Sequence, residues 1–206
     1  MPMRTVTDMQ KFEFTLLLSA PSSFPTSDQL DVLFDAGCDD ALFGRTAGVA
    51  YADFVREGAT FSKAVMSAIR DVEQTIPGVR ISRVEPDDYV TVTDISKRTG
   101  WSREYVRLLV LGKRGTGFFP SPLTRLGNSR SRIWRWSEVS RWLVNHHGAV
   151  IPGISEYPFI AALNSMLELR DTIPALDDNG REEIADMLSK EHESLRLCRT
   201  GCAKAG

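Results

Sequence analysis

Three cysteines in 206 residues, Cys38, Cys198 and Cys202, are too few and too unevenly placed for a disulfide framework or a zinc site. No apolar run approaches the ~20 residues that a membrane-spanning helix needs. Met1 to Gln10 lacks the basic and apolar regions of a signal peptide. A membrane partner is therefore not expected, and a cytoplasmic location is. No P-loop, Gly-x-Gly-x-x-Gly or nucleophile elbow occurs, so neither a cofactor nor catalysis has a motif behind it. Histidine is scarce too. His146, His147 and His192 lack a third ligand at metal-binding spacing, and Glu191-His192-Glu193 lacks the second histidine of a zinc-protease helix. The pairs Asp39-Asp40, Asp87-Asp88 and Asp177-Asp178 adjoin turn residues, where neighbouring acids serve as caps and solvated corners.

Charge is segregated along the chain. The whole carries −2, yet residues 91–147 hold eleven Lys or Arg against three acids, a net +8 that leaves −10 elsewhere. A basic segment between acidic flanks gives one face a positive potential, and a polyanion is its natural partner.

The periodicity predicts an α+β protein. Phe12, Phe14, Leu16 and Leu18 alternate with less apolar residues, as a strand with one buried face does. Ser27 precedes a helical stripe of Leu30, Leu33, Phe34 and Ala36 that stops at Gly37, and Ser62 opens a second helix ending at Pro77-Gly78. Strands are expected at 40–44, 49–56 and 79–84. The resulting β-α-β-β-α-β order over 11–88, after a flexible 1–10, is that of a ferredoxin-like domain. RNA-recognition motifs share that order, but Val49 to Arg56 lacks their basic, Gly- and Phe-rich strand and the segment is acidic. Beyond Gly148 to Gly153, a linker with Pro152, two amphipathic helices are expected. They carry Ile160, Leu163 and Leu167, then, after a turn at Asp177 to Gly180, Ile184, Met187, Leu188 and Leu195.

Residues 89–147 read as a winged helix-turn-helix. Thr93 can cap a short helix centred on Ile95, Gly100 supplies the tight turn, and Ser102 caps a second helix. Arg103, Tyr105 and Arg107 would point outward from its first turns, where a major groove is met; the helix phase leaves Glu104 as an alternative outward residue. Lys113 and Arg114 follow. Pro122 to Thr124 and Ile133 to Trp136 would form a two-stranded wing. Its basic tip, with Arg125, Asn128, Arg130 and Arg132, would lie along a phosphate backbone or reach a minor groove. Ser137 would cap a third helix. Trp134, Trp136 and Trp142 sit where a small module needs its core rather than where bases would stack.

The run Phe119-Pro-Ser-Pro-Leu-Thr-Arg-Leu-Gly, Ile133-Trp-Arg-Trp-Ser-Glu-Val and Trp142-Leu143, with Thr93-Asp-Ile, Gly100-Trp-Ser-Arg and Val106-Arg before it, resembles AlpA-type and excisionase-type proteins. These are small relatives of the MerR DNA-binding fold, and the likeness covers about residues 90–146. It implies sequence-specific binding of double-stranded DNA by a regulator or a recombination accessory factor. A transcription regulator acting as a homodimer is the leading expectation, since one such module spans few base pairs. A mobile-element accessory factor, an antitoxin with a protein partner, and a regulator whose N-terminal domain senses a small ligand are the alternatives.

Overall fold

The computed structural model describes residues 9–123 and 132–201, with side chains to residue 191. The protein is mixed α+β and divides into two compact units, one ending at Ser165 and the other starting at Met166. No described helix is long and apolar enough to cross a membrane.

The first unit begins with β1 (Gln10–Ser19), α1 (Ser27–Asp35), β2 (Ala41–Thr46), β3 (Val49–Gly58), α2 (Phe61–Thr75) and β4 (Arg80–Glu85). The strands form one antiparallel sheet in the order β2-β3-β1-β4. The period-2 pattern works as it reads: Phe14, Leu16 and Leu18 of β1 and Ala50, Ala52 and Phe54 of β3 are buried on one face. The α2 stripe of Phe61, Val65, Ala68, Ile69 and Val72 closes over that face, each large side chain contributing about 1.5–3 kcal/mol. The stripe expected on α1 is mostly outside: Leu33 is buried, whereas Leu30 and Phe34 are exposed, Phe34 by 64%. Leu33 is the one buried residue of this nine-residue helix.

Helix starts lie slightly upstream of the sequence reading. Thr26, Thr60 and Thr91 are the N-caps, not Ser27, Ser62 and Thr93. Each threonine has an extended backbone and accepts a bond from the third residue on, which places its hydroxyl over otherwise orphaned N–H groups. Neighbouring Ser and Thr residues made the choice ambiguous. Asp177 likewise accepts from the Gly180 N–H at 2.9 Å, so the expected turn there is the entry of a helix.

Arg56 occupies a core-facing position of β3 and is buried, with its side chain 7% exposed. It holds Asp40 by two bonds (2.8 and 2.9 Å), donates to Asp71 at 2.5 Å and to the Gly37 carbonyl at 2.7 Å, and covers the Phe54 ring. Burial opposes its charge, but the hydrogen bonds to Asp40 and Asp71 outweigh that and raise its pKa. One guanidinium thus ties β3, the α1–β2 turn and α2 together. Burial also pushes the nearby Cys38 thiol up, away from thiolate chemistry.

Next come β5 (Tyr89–Val90), α3 (Val92–Thr99), α4 (Arg103–Val110), β6 (Trp134–Arg135), α5 (Trp136–His147) and α6 (Tyr157–Thr172). β5 and β6 pair antiparallel. Around them Ile95, Val106, Leu109, Trp134, Trp136, Val139, Trp142 and Leu143 form a second core, so the three tryptophans do pack. Early in α6, Ile160 and Leu163 are buried, and Asn164 meets both the N–H and the C=O of Val84 (2.8 and 2.9 Å), closing the outer edge of β4. The second unit holds the end of α6, a 3-10 turn (Ile173–Ala175) and α7 (Asp178–Gly201). Leu167 is buried there, whereas Met187 and Leu188 are 61% and 48% exposed.

Replacing Arg56 by Ala should cost about 2–4 kcal/mol, because two carboxylates and a carbonyl lose their donor in a largely dry place. Arg56→Lys should recover only a minor share, having no fork to hold Asp40. Urea denaturation measures both; a loss below about 1 kcal/mol for Arg56→Ala would show the cluster to be incidental to stability.

Candidate nucleic-acid interface

The basic segment is built on a tight α3–turn–α4 unit. Thr91 and Asp94 cap α3 reciprocally: the Thr91 hydroxyl accepts from the Asp94 N–H at 3.3 Å, and Asp94 accepts from the Thr91 N–H at 2.9 Å and hydroxyl at 2.7 Å. Gly100 ends α3 with φ 72°, a left-handed conformation that lets the chain reverse within two residues. Ser96 donates to the Trp101 carbonyl at 2.6 Å, fixing the turn, and Ser102 accepts from the Tyr105 N–H at 3.1 Å to start α4.

Val106 and Leu109 turn α4 inward, leaving Arg103, Glu104 and Arg107 exposed on the other side. Arg103, Glu104 and Arg107 line a cavity of about 420 Å³ with Val92, Val110, Leu111, Arg132 and Trp134. Three of the sequence-derived cations, Arg103, Arg107 and Arg132, therefore share one surface. Tyr105 does not stand out as expected. It is half-buried, edge-on to Trp101 at 5.1 Å, with the Arg114 guanidinium over its ring at 5.6 Å. Ser102 acts as a cap. Lys113 and Arg114 are exposed in the loop after α4, where Gly115 lies so close to His147 that a Cβ would come within 2.8 Å of the ring. Arg125, Asn128 and Arg130 lie outside the described residues.

Most of the expected wing, 124–131, lies outside the described residues; β6 pairs with β5, at Tyr89↔Arg135 and Val90↔Trp134. Between the expected arms one backbone bond is present among the described residues, from the Leu123 N–H to the Ile133 carbonyl at 2.8 Å. Trp134 donates to the Pro120 carbonyl at 3.0 Å. Trp136 opens α5, and Ser137 is not its cap. Instead Asp88, 2% exposed, accepts from the Ser137 N–H at 2.6 Å and hydroxyl at 3.2 Å and pairs with Arg135 at 3.3 Å. A carboxylate at that helix start does what a local serine would do, with added charge.

Three roles were not read from the sequence. Glu104 grips Arg107, a pairing that opposite charges three apart on a helix could have suggested. Asp88, 49 residues from the helix it caps, left no local trace. Phe118 is 93% exposed at φ 56°, and no sequence pattern marks it. Two of the cations counted in the basic segment belong to the fold: Arg135 through Asp88, and Arg98, which donates to the Asp87 carbonyl at 2.8 Å and covers Trp136 and Tyr157.

The hydrogen bond from the Thr91 hydroxyl, then that from its backbone, holds the Asp94 carboxyl below the ordinary aspartate value. A lowered acid pKa stabilises above the unfolded value, about 3.9, and that contribution is lost as pH falls toward the lower folded value. The melting-temperature gap between the wild type and Asp94→Asn should therefore be full at neutral pH and shrink below about pH 4. A gap that widens on acidification would refute the cap's charge. No protein-family model, curated protein or solved structure matches the chain, so this surface's own geometry is what points to a function.

Proposed function

We propose that the chain binds double-stranded DNA through α4 and the basic segment around it, as a homodimeric transcription regulator. One observation carries the reading: Arg103, Arg107 and Arg132 converge on one exposed face of a capped two-helix unit, with Lys113 and Arg114 in the next loop. Helix, tight turn and second helix in this arrangement support the helix-turn-helix resemblance, and a short strand pair before α5 suits the base of a wing. The β-α-β-β-α-β order and the strand order β2-β3-β1-β4 likewise favour a ferredoxin-like N-terminal domain. The tryptophans of this region are spent on its core, which favours a duplex over a stacked single strand. An accessory factor of a mobile element or an antitoxin would use the same surface.

Binding should be strongly electrostatic. With about five phosphates neutralised, log K should fall with log salt at a slope near −4 to −5, and Arg132→Ala should make it shallower by about one unit. Filter binding or fluorescence anisotropy over a salt series reads both, and a folded chain with no affinity for any duplex at low salt sinks the proposal.

The dimer contact is assigned to α7. The apolar stripe Ile160, Leu163 and Leu167 of α6 is already buried. Met187 and Leu188 remain exposed beside half-buried Ile184. Light scattering should show a dimer that Met187→Glu with Leu188→Glu converts to a monomer; a variant that stays dimeric moves the interface elsewhere.

A further inference from the structure

Glu104 and Arg107 stand three residues apart on the exposed face of α4. The carboxylate holds the guanidinium by two bonds, Nε to Oε2 and Nη2 to Oε1, both at 2.8 Å. Those bonds use the side edge of the fork, Nε and the neighbouring hydrogen of Nη2. The end edge, formed by Nη1 and the outer hydrogen of Nη2, has no partner among the described residues. Two parallel N–H donors are what guanine O6 and N7 accept in a major groove.

The carboxylate adds a second constraint. A negative charge fixed against the guanidinium repels phosphate oxygens, so the pair is a poor clamp for the DNA backbone. The hydrogen bond from Arg107 keeps the Glu104 carboxyl below its usual range, with the Lys113 charge adding to the effect, so it stays ionised at neutral pH. A free arginine side chain would sample many rotamers and reach phosphates readily. Held at its side edge, Arg107 presents one edge in one direction, and its ordering entropy is spent before DNA arrives.

We infer that Glu104 is a positioning residue that makes Arg107 a reader of guanine in the major groove, an inference that rests on the DNA-binding proposal above. An ordinary surface ion pair on a helix would do no such thing. It would add little to stability and leave base preference untouched.

The test uses the full chain and a pool of randomised duplexes, with the bound fraction sequenced. The wild type should enrich a motif containing guanine, and Arg107→Ala should erase the preference at one position. Glu104→Ala should weaken the guanine preference at that same position by about ten-fold, the scale of one bidentate contact. Its affinity for random duplex should be unchanged or higher, because a charge that repels phosphates is gone, and its melting temperature should be nearly that of the wild type. Arg107→Lys should not restore the preference, having no pair of parallel donors. If Glu104→Ala keeps the guanine preference, or shifts affinity equally for every duplex, the inference is overturned while DNA binding stands. If the wild type binds no duplex, the DNA-binding proposal falls and this inference with it.

Discussion

Asp88 is the group on which the arrangement of the basic segment depends. It is the residue just before β5, and its side chain is almost wholly buried. Its carbonyl accepts from the Trp136 N–H at 2.5 Å while its carboxylate takes Ser137 and Arg135. A buried carboxylate is costly unless its lone pairs are filled, and these partners fill them. The same contacts fix the start of α5 and the register of β5 against β6. Next to it, Asp87 pairs with Arg83 of β4, and Arg98 of α3 returns to the Asp87 carbonyl. Two adjacent acids thus splice the sheet's last strand to α3 and α5.

Those two acids show how far the sequence could be read. The period of β1 and β3, the stripe of α2, the order of the sheet's strands and its two helices, Gly100 as a turn and the inward tryptophans were legible, because each is a local or periodic property. The stripes read on α1 and α7 were not, since Phe34, Met187 and Leu188 are exposed. Asp87-Asp88 was legible as an acidic pair beside a turn. That Asp88 caps a helix 49 residues on was not, because capping patterns are sought within four residues. Arg56 followed the inward period of Ala50, Ala52 and Phe54, and its burial could have been read from that phase. The partners Asp40 and Asp71 come from elements that only folding brings together. Likewise β5 and β6 are two residues each, too short for any period, and Asn164 serves an edge strand 80 residues away.

The candidate surface was legible in composition and less so in detail. Counting charges located the basic segment but could not separate cations that hold the fold from those that face solvent. Arg98 and Arg135 are committed to Asp87, Asp88 and aromatic faces, whereas Arg103 and Arg132 stand free of any contact described above except the cavity they line. The difference arises from where an acid or an aromatic happens to be in space. Helical phase alone put Tyr105 outside; the edge of Trp101 draws it half inside, where Arg114 covers it.

Packing quality around α4 decides how sharply its exposed side chains can be aimed. Val106 and Leu109 are fully buried, Ser102 closes its first turn, and the Leu111 and Lys113 N–H groups return to the carbonyls of Arg107 and Leu108. Both ends of this two-turn helix are thus held by bonds, although a helix so short would be marginal alone. Rigidity of the backbone is a condition for direct readout, since a bidentate contact tolerates little misplacement of its donors. On the exposed face of that helix the Glu104 carboxylate holds the Arg107 guanidinium by two bonds at 2.8 Å, the pair on which the proposed reading of guanine rests.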